Sequence, residues 1–336
     1  MRGTVRVFCM LFALVLPCAS AIAASSCRLM KIAEWFVTPQ SGRLIVDGAI
    51  NGQKIGILFD TGAASSLVQR AAADRLGLTR QEAKGYRAAG VGGGTYVEYA
   101  VIEELKLGTA SRKNWRVFVM GERDLGRAYA FVLGYDFFEQ VDIEFDLANN
   151  AVRLFQTQDC GDAPLAYWAR GGAGEVRLET DSERPGILVN VKLNGKPLLA
   201  HLDTGASSSV LSRLVAAQAG VTPETSGTVP AGTTGGFGAG RPEQWIGAFE
   251  SFSIGDEVIR NPNIRFTDLG VTHTETGTRL AIKREMWEML LGLDFLRSHR
   301  VFVAHSQRKL YFTYTGGPVF ARPPRTLSPA PAGRDE

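Results

Sequence analysis

Apolar and polar residues alternate with a period of two over two well-separated stretches, "RLIVDGAINGQKIGILFD" (residues 43–60) and "GILVNVKLNGKPLLAHLD" (residues 186–203). That period places the apolar side chains on one face of an extended strand. The Asn-Gly pair inside each stretch is the pair that a two-residue hairpin turn favours. Two β-hairpins are therefore expected, at corresponding places in the two halves of the chain. An Ala-rich run follows each one, "VQRAAADRLGL" and "SRLVAAQAGV", and both meet a glycine, Gly77 and Gly220. These read as one or two helical turns closed by a C-terminal glycine.

Next come two glycine-rich stretches, "AAGVGGGTY" (residues 88–96) and "AGTTGGFGAG" (residues 231–240). Further strands lead to "FVLGYDFFEQVDIEFDLANNAVRLF" and "MLLGLDFLRSHRVFVAHSQRKLYF". The same order of events in residues 43–156 and 185–313 is an internal repeat, which predicts two similar, mostly β lobes. From acidic turn to late glycine, the second copy (Asp203 to Gly292) is about fifteen residues longer than the first (Asp60 to Gly134). The extra length is expected around "TDLGVTHTETGTRLAIKREMWEM" (residues 267–289), where "REMWEML" (residues 284–290) reads as helix.

The ends change the picture. Arg2 and Arg6 precede the apolar run "VFCMLFALVLP", and small residues around Ala21, Ile22 and Ala23 close it. That pattern reads as a secretory signal over residues 1–23, and the run is shorter than the ~20 residues a membrane helix needs. The expected organisation is this signal, an N-terminal lobe over 24–156, a linker over 157–184 without sustained periodicity, a C-terminal lobe over 185–316 and a Pro-rich disordered tail over 317–336. Export would carry the protein to the periplasm or outside the cell, with no membrane span after signal cleavage. Of four cysteines, Cys9 and Cys18 lie in the signal and leave Cys27 and Cys160. In an oxidising compartment these most simply form one disulfide, two unpaired thiols being the alternative.

Composition excludes more than it assigns. Apolar and charged fractions of 45% and 21% are ordinary for a globular chain. A formal net charge of +3, with Lys and Arg dispersed, argues against a nucleic-acid partner. Two cysteines and four scattered histidines have no metal-ligand spacing. No cofactor is implied.

The chemistry lies in the repeated turn. Asp60 and Asp203 each end an apolar strand and are followed by Thr-Gly-Ala. A carboxylate there is costly to bury without hydrogen-bond donors, and the Thr hydroxyl and the Gly backbone supply donors and a tight turn. A single copy reads equally as an Asx-turn capping its own loop. Two matched copies suggest halves of one site. Two carboxylates about 3 Å apart share a proton, so that one activates water while the other polarises a carbonyl.

The residues "FDTGAAS" (residues 59–65) and "LDTGASS" (residues 202–208), with "VLG" (Val132, Leu133, Gly134) and "LLG" (Leu290, Leu291, Gly292), resemble the aspartic proteases of the pepsin/retropepsin superfamily. The resemblance covers nearly all of residues 43–313. Each repeat, at about 115–130 residues, is closer in length to a viral-type retropepsin subunit than to a full pepsin lobe, so the chain looks like two such units fused. The resemblance implies a bilobal aspartic-protease fold, with two pseudo-symmetric β-barrel-like lobes and short helices. It implies Asp60 and Asp203 as the catalytic pair, Thr61 and Thr204 as cross-lobe hydrogen-bond partners, and Gly62 and Gly205 as points of close backbone approach. The apolar-apolar-Gly segments would buttress the turns. Ala63 and Ala206 stand where pepsins carry a hydroxyl that would lower the carboxylate pKa, which predicts an optimum in mild rather than strong acid.

The glycine-rich stretches suit flaps: Gly92, Gly93, Gly94 and Tyr96 in the first copy, Gly235 and Gly236 in the second. Ordinary Gly-rich turns are the alternative. His201, two residues before Asp203, shares that aspartate's side of the strand, although a packed histidine is the simpler reading. Trp168, Trp245 and Trp287 are assigned first to the core and only then to a cleft. The expected partner is a peptide or protein, bound by a monomer whose lobes form an intramolecular pseudo-dimer. A non-catalytic peptide-binding protein with the same fold is the competing reading, and a dimer that pairs the repeats between chains is a third.

Overall fold

The computed structural model describes residues 27–40, 42–181, 185–275, 281–285 and 287–320. The signal (1–23), linker residues 182–184 and the tail beyond 320 lie outside the described residues. Both Asn-Gly hairpins form, Arg43–Ile50 with Gln53–Phe59 and Leu188–Leu193 with Lys196–Leu202. Both turn residues take positive φ in each copy (50° and 78° at Asn51 and Gly52, 49° and 77° at Asn194 and Gly195), as a two-residue turn matched to strand twist requires. The Asn51 carboxamide oxygen accepts from the Glu103 and Glu104 amides, and that of Asn194 from the Glu250 and Ser251 amides. The short helices expected after the hairpins form as Arg70–Arg75 and Arg213–Gln218. Gly77 and Gly220 beyond them adopt φ of 66° and 83°, the left-handed state that ends a helix cheaply.

Strand order is the same in the two halves. In the first it runs Arg43–Ile50, Gln53–Phe59, Phe131–Leu133, Leu67–Gln69, Ala110–Met120, Gly93–Leu107, Arg80–Gly90, and Arg43–Ile50 also pairs with Gly93–Leu107, closing a barrel. In the second it runs Leu188–Leu193, Lys196–Leu202, Met289–Leu291, Val210–Ser212, Asn263–Thr267, Glu243–Ala248, Val229–Thr233. The protein is mostly β, as its alternation predicts.

A third set of strands joins the halves. Arg28–Phe36, Ala151–Gln158 and Asp142–Asp146 continue into His299–Ala304, Lys309–Tyr314 and Gly174–Glu179. At its centre Ile143, Glu144 and Phe145 face Val303, Phe302 and Val301. All five residues of Asp142–Asp146 are buried, charged ones included. Glu144 accepts from Arg153, Arg300 and the Tyr167 hydroxyl at 3.1, 2.5 and 2.8 Å, and Asp146 from Arg153 at 2.9 Å. Buried charges are tolerated when paired and hydrogen-bonded in this way.

Cys27 and Cys160 form a disulfide across a sequence separation of 133 residues, beside the Arg28–Gln158 pair, where the strand Arg28–Phe36 begins and Ala151–Gln158 ends. Closing so long a loop restricts the unfolded chain, and a native disulfide is worth about 2–5 kcal/mol. The double variant Cys27→Ser, Cys160→Ser is expected to unfold at markedly lower denaturant concentration than the oxidised protein. An unchanged urea midpoint would show that the bridge contributes nothing.

Three expectations need correcting, while the added length of the second copy lies in the expected stretch. Residues 284–290 are not helical where described. Glu285 ends the strand Ala281–Glu285, and Met289–Leu291 is a strand held between Lys196–Leu202 and Val210–Ser212, so pairing on both edges overrides helix propensity. The added length of the second copy is a hairpin, Val271–Glu275 with Ala281–Glu285. The expected linker is not structureless, because Gly174–Glu179 pairs with Lys309–Tyr314 and with Leu188–Leu193. The expected tail starts too early, since Phe320 is buried with its ring 5.0 Å from Phe252.

Candidate active site

Each acidic turn is held from behind by its own half. The Asp60 amide donates to the Leu133 carbonyl at 3.0 Å and the Asp203 amide to that of Leu291 at 2.9 Å. Phe131–Leu133 runs parallel to Gln53–Phe59 and antiparallel to Leu67–Gln69, so the Val132, Leu133, Gly134 segment threads between the two arms of the turn. Leu290, Leu291 and Gly292 thread the second turn likewise. A Cβ on Gly134 would come within 2.6–2.9 Å of the Ala63 and Ser65 backbone, and one on Gly292 would meet Ala206 and Ser208 equally closely. Only glycine fits there.

Two serine–aspartate pairs lock this arrangement and were not singled out in the sequence. Asp136 accepts from the Ser66 amide and hydroxyl at 2.8 and 2.7 Å, and Asp294 from those of Ser209 at 2.8 and 2.6 Å. The same hydroxyls accept from Gly134 N at 3.0 Å and Gly292 N at 2.9 Å. Burial raises the Asp294 pKa, against the lowering effect of Ser209. The signal was present in the repeated Leu-Gly-x-Asp-Phe of residues 133–137 and 291–295.

Across the halves, the two threonines exchange hydrogen bonds. The Thr61 hydroxyl donates to the Leu202 carbonyl and that of Thr204 to the Phe59 carbonyl, both at 2.7 Å. Each hydroxyl also accepts the other's amide, at 3.0 and 3.1 Å. Both threonines are fully buried, so all four polar groups must be satisfied and the turns are fixed face to face.

The two carboxylates meet at the floor of a cleft of about 1070 Å³. Asp60 Oδ1 accepts from Gly62 N and Ala63 N at 3.0 and 3.1 Å, and Asp203 Oδ1 from Gly205 N and Ala206 N at 2.8 and 3.1 Å. The remaining capacity is turned on each other, because the side chains hydrogen-bond together. Burial raises the Asp60 pKa. Burial, and then the charge of Asp60, raises that of Asp203 well above the usual carboxylate range. Such a pair retains one proton where a free carboxyl has lost it.

A raised folded-state pKa works against stability as pH rises, because the unfolded chain then ionises more readily. Asp203→Asn is therefore expected to melt higher than the wild type at pH 7, with the difference vanishing below about pH 4, where free aspartates are also protonated. Melting temperatures across that range would show it, and an Asn variant less stable at pH 7 would contradict the raised pKa.

Both glycine-rich stretches sit over this floor. The first is the tip of the hairpin Arg80–Gly90 with Gly93–Leu107, where Gly90 pairs with Gly93 and Ala89 with Gly94. The second connects Val229–Thr233 and Glu243–Ala248. The tips touch: Gly236 N donates to the Val91 carbonyl at 3.0 Å and Gly240 N to that of Gly92 at 2.8 Å. Gly235 and Gly236 line the cleft.

Tyr96 is on the first of these hairpins but does not line the cleft. The residue is 62% exposed, and its ring lies under Arg87, 4.7 Å from the guanidinium. The aromatic side chains that reach the cleft are Tyr86, Phe118, Phe237 and Trp287. His201 also lines it and is buried, its ring 6.5 Å from that of Trp287. Trp245 stacks on Phe266, and Trp168 packs against Phe302 in the joining sheet. Among the described residues no group of His, Cys, Asp or Glu is placed to hold a metal ion, and no helix is long and apolar enough to cross a membrane.

Residues 46–140 match the family described as "gag-polyprotein putative aspartyl protease", and residues 189–295 match the family described as "Aspartyl protease". The fold is similar to the crystal structure of an aspartic proteinase from Irpex lacteus, at 12% identity and a TM-score of 0.47, covering 84% of this chain and 97% of that one. No curated protein matches the sequence.

Proposed function

From the premise that the chain belongs to the aspartyl proteases, with one such domain in each half, we propose that it is an exported endopeptidase whose single active site is the Asp60–Asp203 pair. The observation that carries the reading is the symmetric meeting of two turns from different halves, each delivering one carboxylate to the same point. An extended peptide lies along the cleft beneath the flaps, its backbone hydrogen-bonding to strand edges as an added strand would. The ionised member of the pair takes a proton from water as the water attacks the scissile carbonyl. The protonated member donates to the carbonyl oxygen, and the tetrahedral intermediate collapses when the nitrogen is protonated. The buried threonine exchange keeps the carboxylates in place through both proton transfers. Thr61, Gly62, Thr204 and Gly205 act as supports, and no metal takes part in this route.

Export is supported by the apolar N-terminal run and by the Cys27–Cys160 disulfide, since such bonds persist in oxidising compartments. A monomer is supported by the location of both halves of the site in one chain. The pH dependence follows from the raised pair. Activity falls at low pH as the last charge on the pair is neutralised, and at high pH as the shared proton is lost. Because both pKa values are raised, the bell is centred above the range of free aspartates, in mild acid.

The test is digestion of a diverse peptide library from pH 3 to 8, with a statine-type transition-state mimic as inhibitor. Cleavage that is blocked by the mimic and bell-shaped in pH is expected, with rate linear in enzyme concentration. A rate that rises with the square of concentration would indicate that the halves pair between chains. A folded protein that binds the mimic and cuts nothing would leave a peptide-binding function.

A further inference from the structure

The cleft is charged in a way that its catalytic chemistry does not require. Arg43, Arg87, Arg123 and Arg241 line it, whereas the only carboxylates among its described lining residues are Asp60 and Asp203. With one proton on that pair, four guanidinium charges stand against one negative charge. The whole chain carries a formal net charge of only +3, so the cleft is far more positive than the surface at large.

Nor are Arg43, Arg123 and Arg241 held in ion pairs as several arginines elsewhere are. Arg70 pairs with Glu98 and Glu122, and Arg153 and Arg300 with Glu144. Among the described residues, Arg43, Arg123 and Arg241 take part in no ion pair within 4 Å. Arg43 lies over the Tyr129 ring at 5.4 Å and is close enough to Asp60 to lower its pKa through space. Arg123 and Arg241 converge on the tip of the second flap. A Cβ on Gly235 would be 2.9 Å from an Arg123 guanidinium nitrogen and 3.9 Å from Arg241 Cγ. Both residues line the same cleft, and like charges that share a cleft favour an anion between them. The guanidinium fork is well suited to a carboxylate.

Building on the protease reading, we infer that the preferred substrate is an acidic peptide, with Asp or Glu side chains flanking the scissile bond and received by Arg43 on the floor and by Arg123 with Arg241 beneath the flap. The positive cleft would also draw such a segment in from solution, because a field focused in a cleft speeds the encounter of opposite charges. No local motif announces this. The three residues lie far apart in the chain, and only the fold brings them to one cavity.

The test compares an acidic peptide cut by the enzyme with its Gln/Asn counterpart, near pH 5.5, where free Asp and Glu are ionised. The acidic peptide is expected to have a kcat/KM higher by about tenfold or more, the scale of one or two charge-assisted hydrogen bonds. Arg123→Gln and Arg241→Gln should each shrink that ratio, and raising the salt should shrink it in the wild type. Equal kcat/KM for the two peptides, or a ratio untouched by both arginine substitutions, would overturn the inference while leaving the protease reading intact.

If no peptide is cut, binding decides the matter. The Asp60→Asn protein is titrated with both fluorescent peptides and followed by anisotropy. Tighter binding of the acidic peptide, by about tenfold, upholds the charge preference although the protease reading has failed. Equal affinities overturn it.

Discussion

Asp60→Asn and Asp203→Asn are each expected to lower kcat/KM by about a thousandfold or more, and the double variant by hardly more than either alone. The reason is that the pair is one functional unit. Each carboxylate accepts two amides from its own turn and spends its remaining capacity on the other. An amide in either place still accepts from the backbone, so the fold is kept. It can neither take the proton of water nor hold the proton that polarises the carbonyl. Steady-state kinetics with circular dichroism of each variant distinguishes lost chemistry from lost structure. Independent, multiplicative losses would mean that the aspartates do not act together.

The second large effect falls on residues without side chains. Gly62 lies against the Asp203 carboxylate and Gly205 against that of Asp60, so a Cβ on either would collide with the carboxylate supplied by the opposite half. Gly62→Ala and Gly205→Ala must push the carboxylates apart, because the threonine exchange prevents the turns from withdrawing. Misplacement on the scale of 1 Å costs about a hundredfold in rate, and a loss of that size or more is expected for each. Separation also weakens the repulsion that raises the Asp203 pKa, so the alkaline limb of the pH profile should move to lower pH. Gly171→Ala, at a position where a Cβ meets nothing within 4 Å, is the control expected to be silent. Normal kinetics in both turn variants would show that the carboxylates have slack that the geometry denies them.

What could be read in the sequence was local and doubled. The hairpins, the acidic turns and the apolar-apolar-Gly segments each declare themselves within a few residues. Seeing them twice, in one order, turns weak signals into an architecture of two similar halves. What could not be read is non-local. Nothing in "DIEFD" says that Ile143 will face Val303, or that Glu144 will be buried and neutralised by Arg153 and Arg300. The strand Gly174–Glu179 looks like linker because half of its residues are polar, and only pairing on both edges makes it a strand. Residues 284–290 have helical composition, yet Met289–Leu291 is held extended by its neighbours. Asp136 and Asp294 escaped notice because a short polar residue inside an apolar run reads as a turn until its serine partner is seen. Tyr96 misled for the opposite reason: a strand has two faces, and register alone decides which one looks into the cleft.

The sheet that joins the halves also sets a timetable. A growing chain emerges from its N-terminal end, and its elements fold as they become available. Arg28–Phe36 and Asp142–Asp146 are made early, but the latter has an open edge until His299–Ala304 has been synthesised. Thr61 likewise waits for Thr204 and for the Leu202 carbonyl. Through most of its synthesis the molecule therefore holds one carboxylate, half a cleft and no grip between the turns, and it cannot attack itself or its neighbours. Cutting power arrives late and all at once, with the last strands.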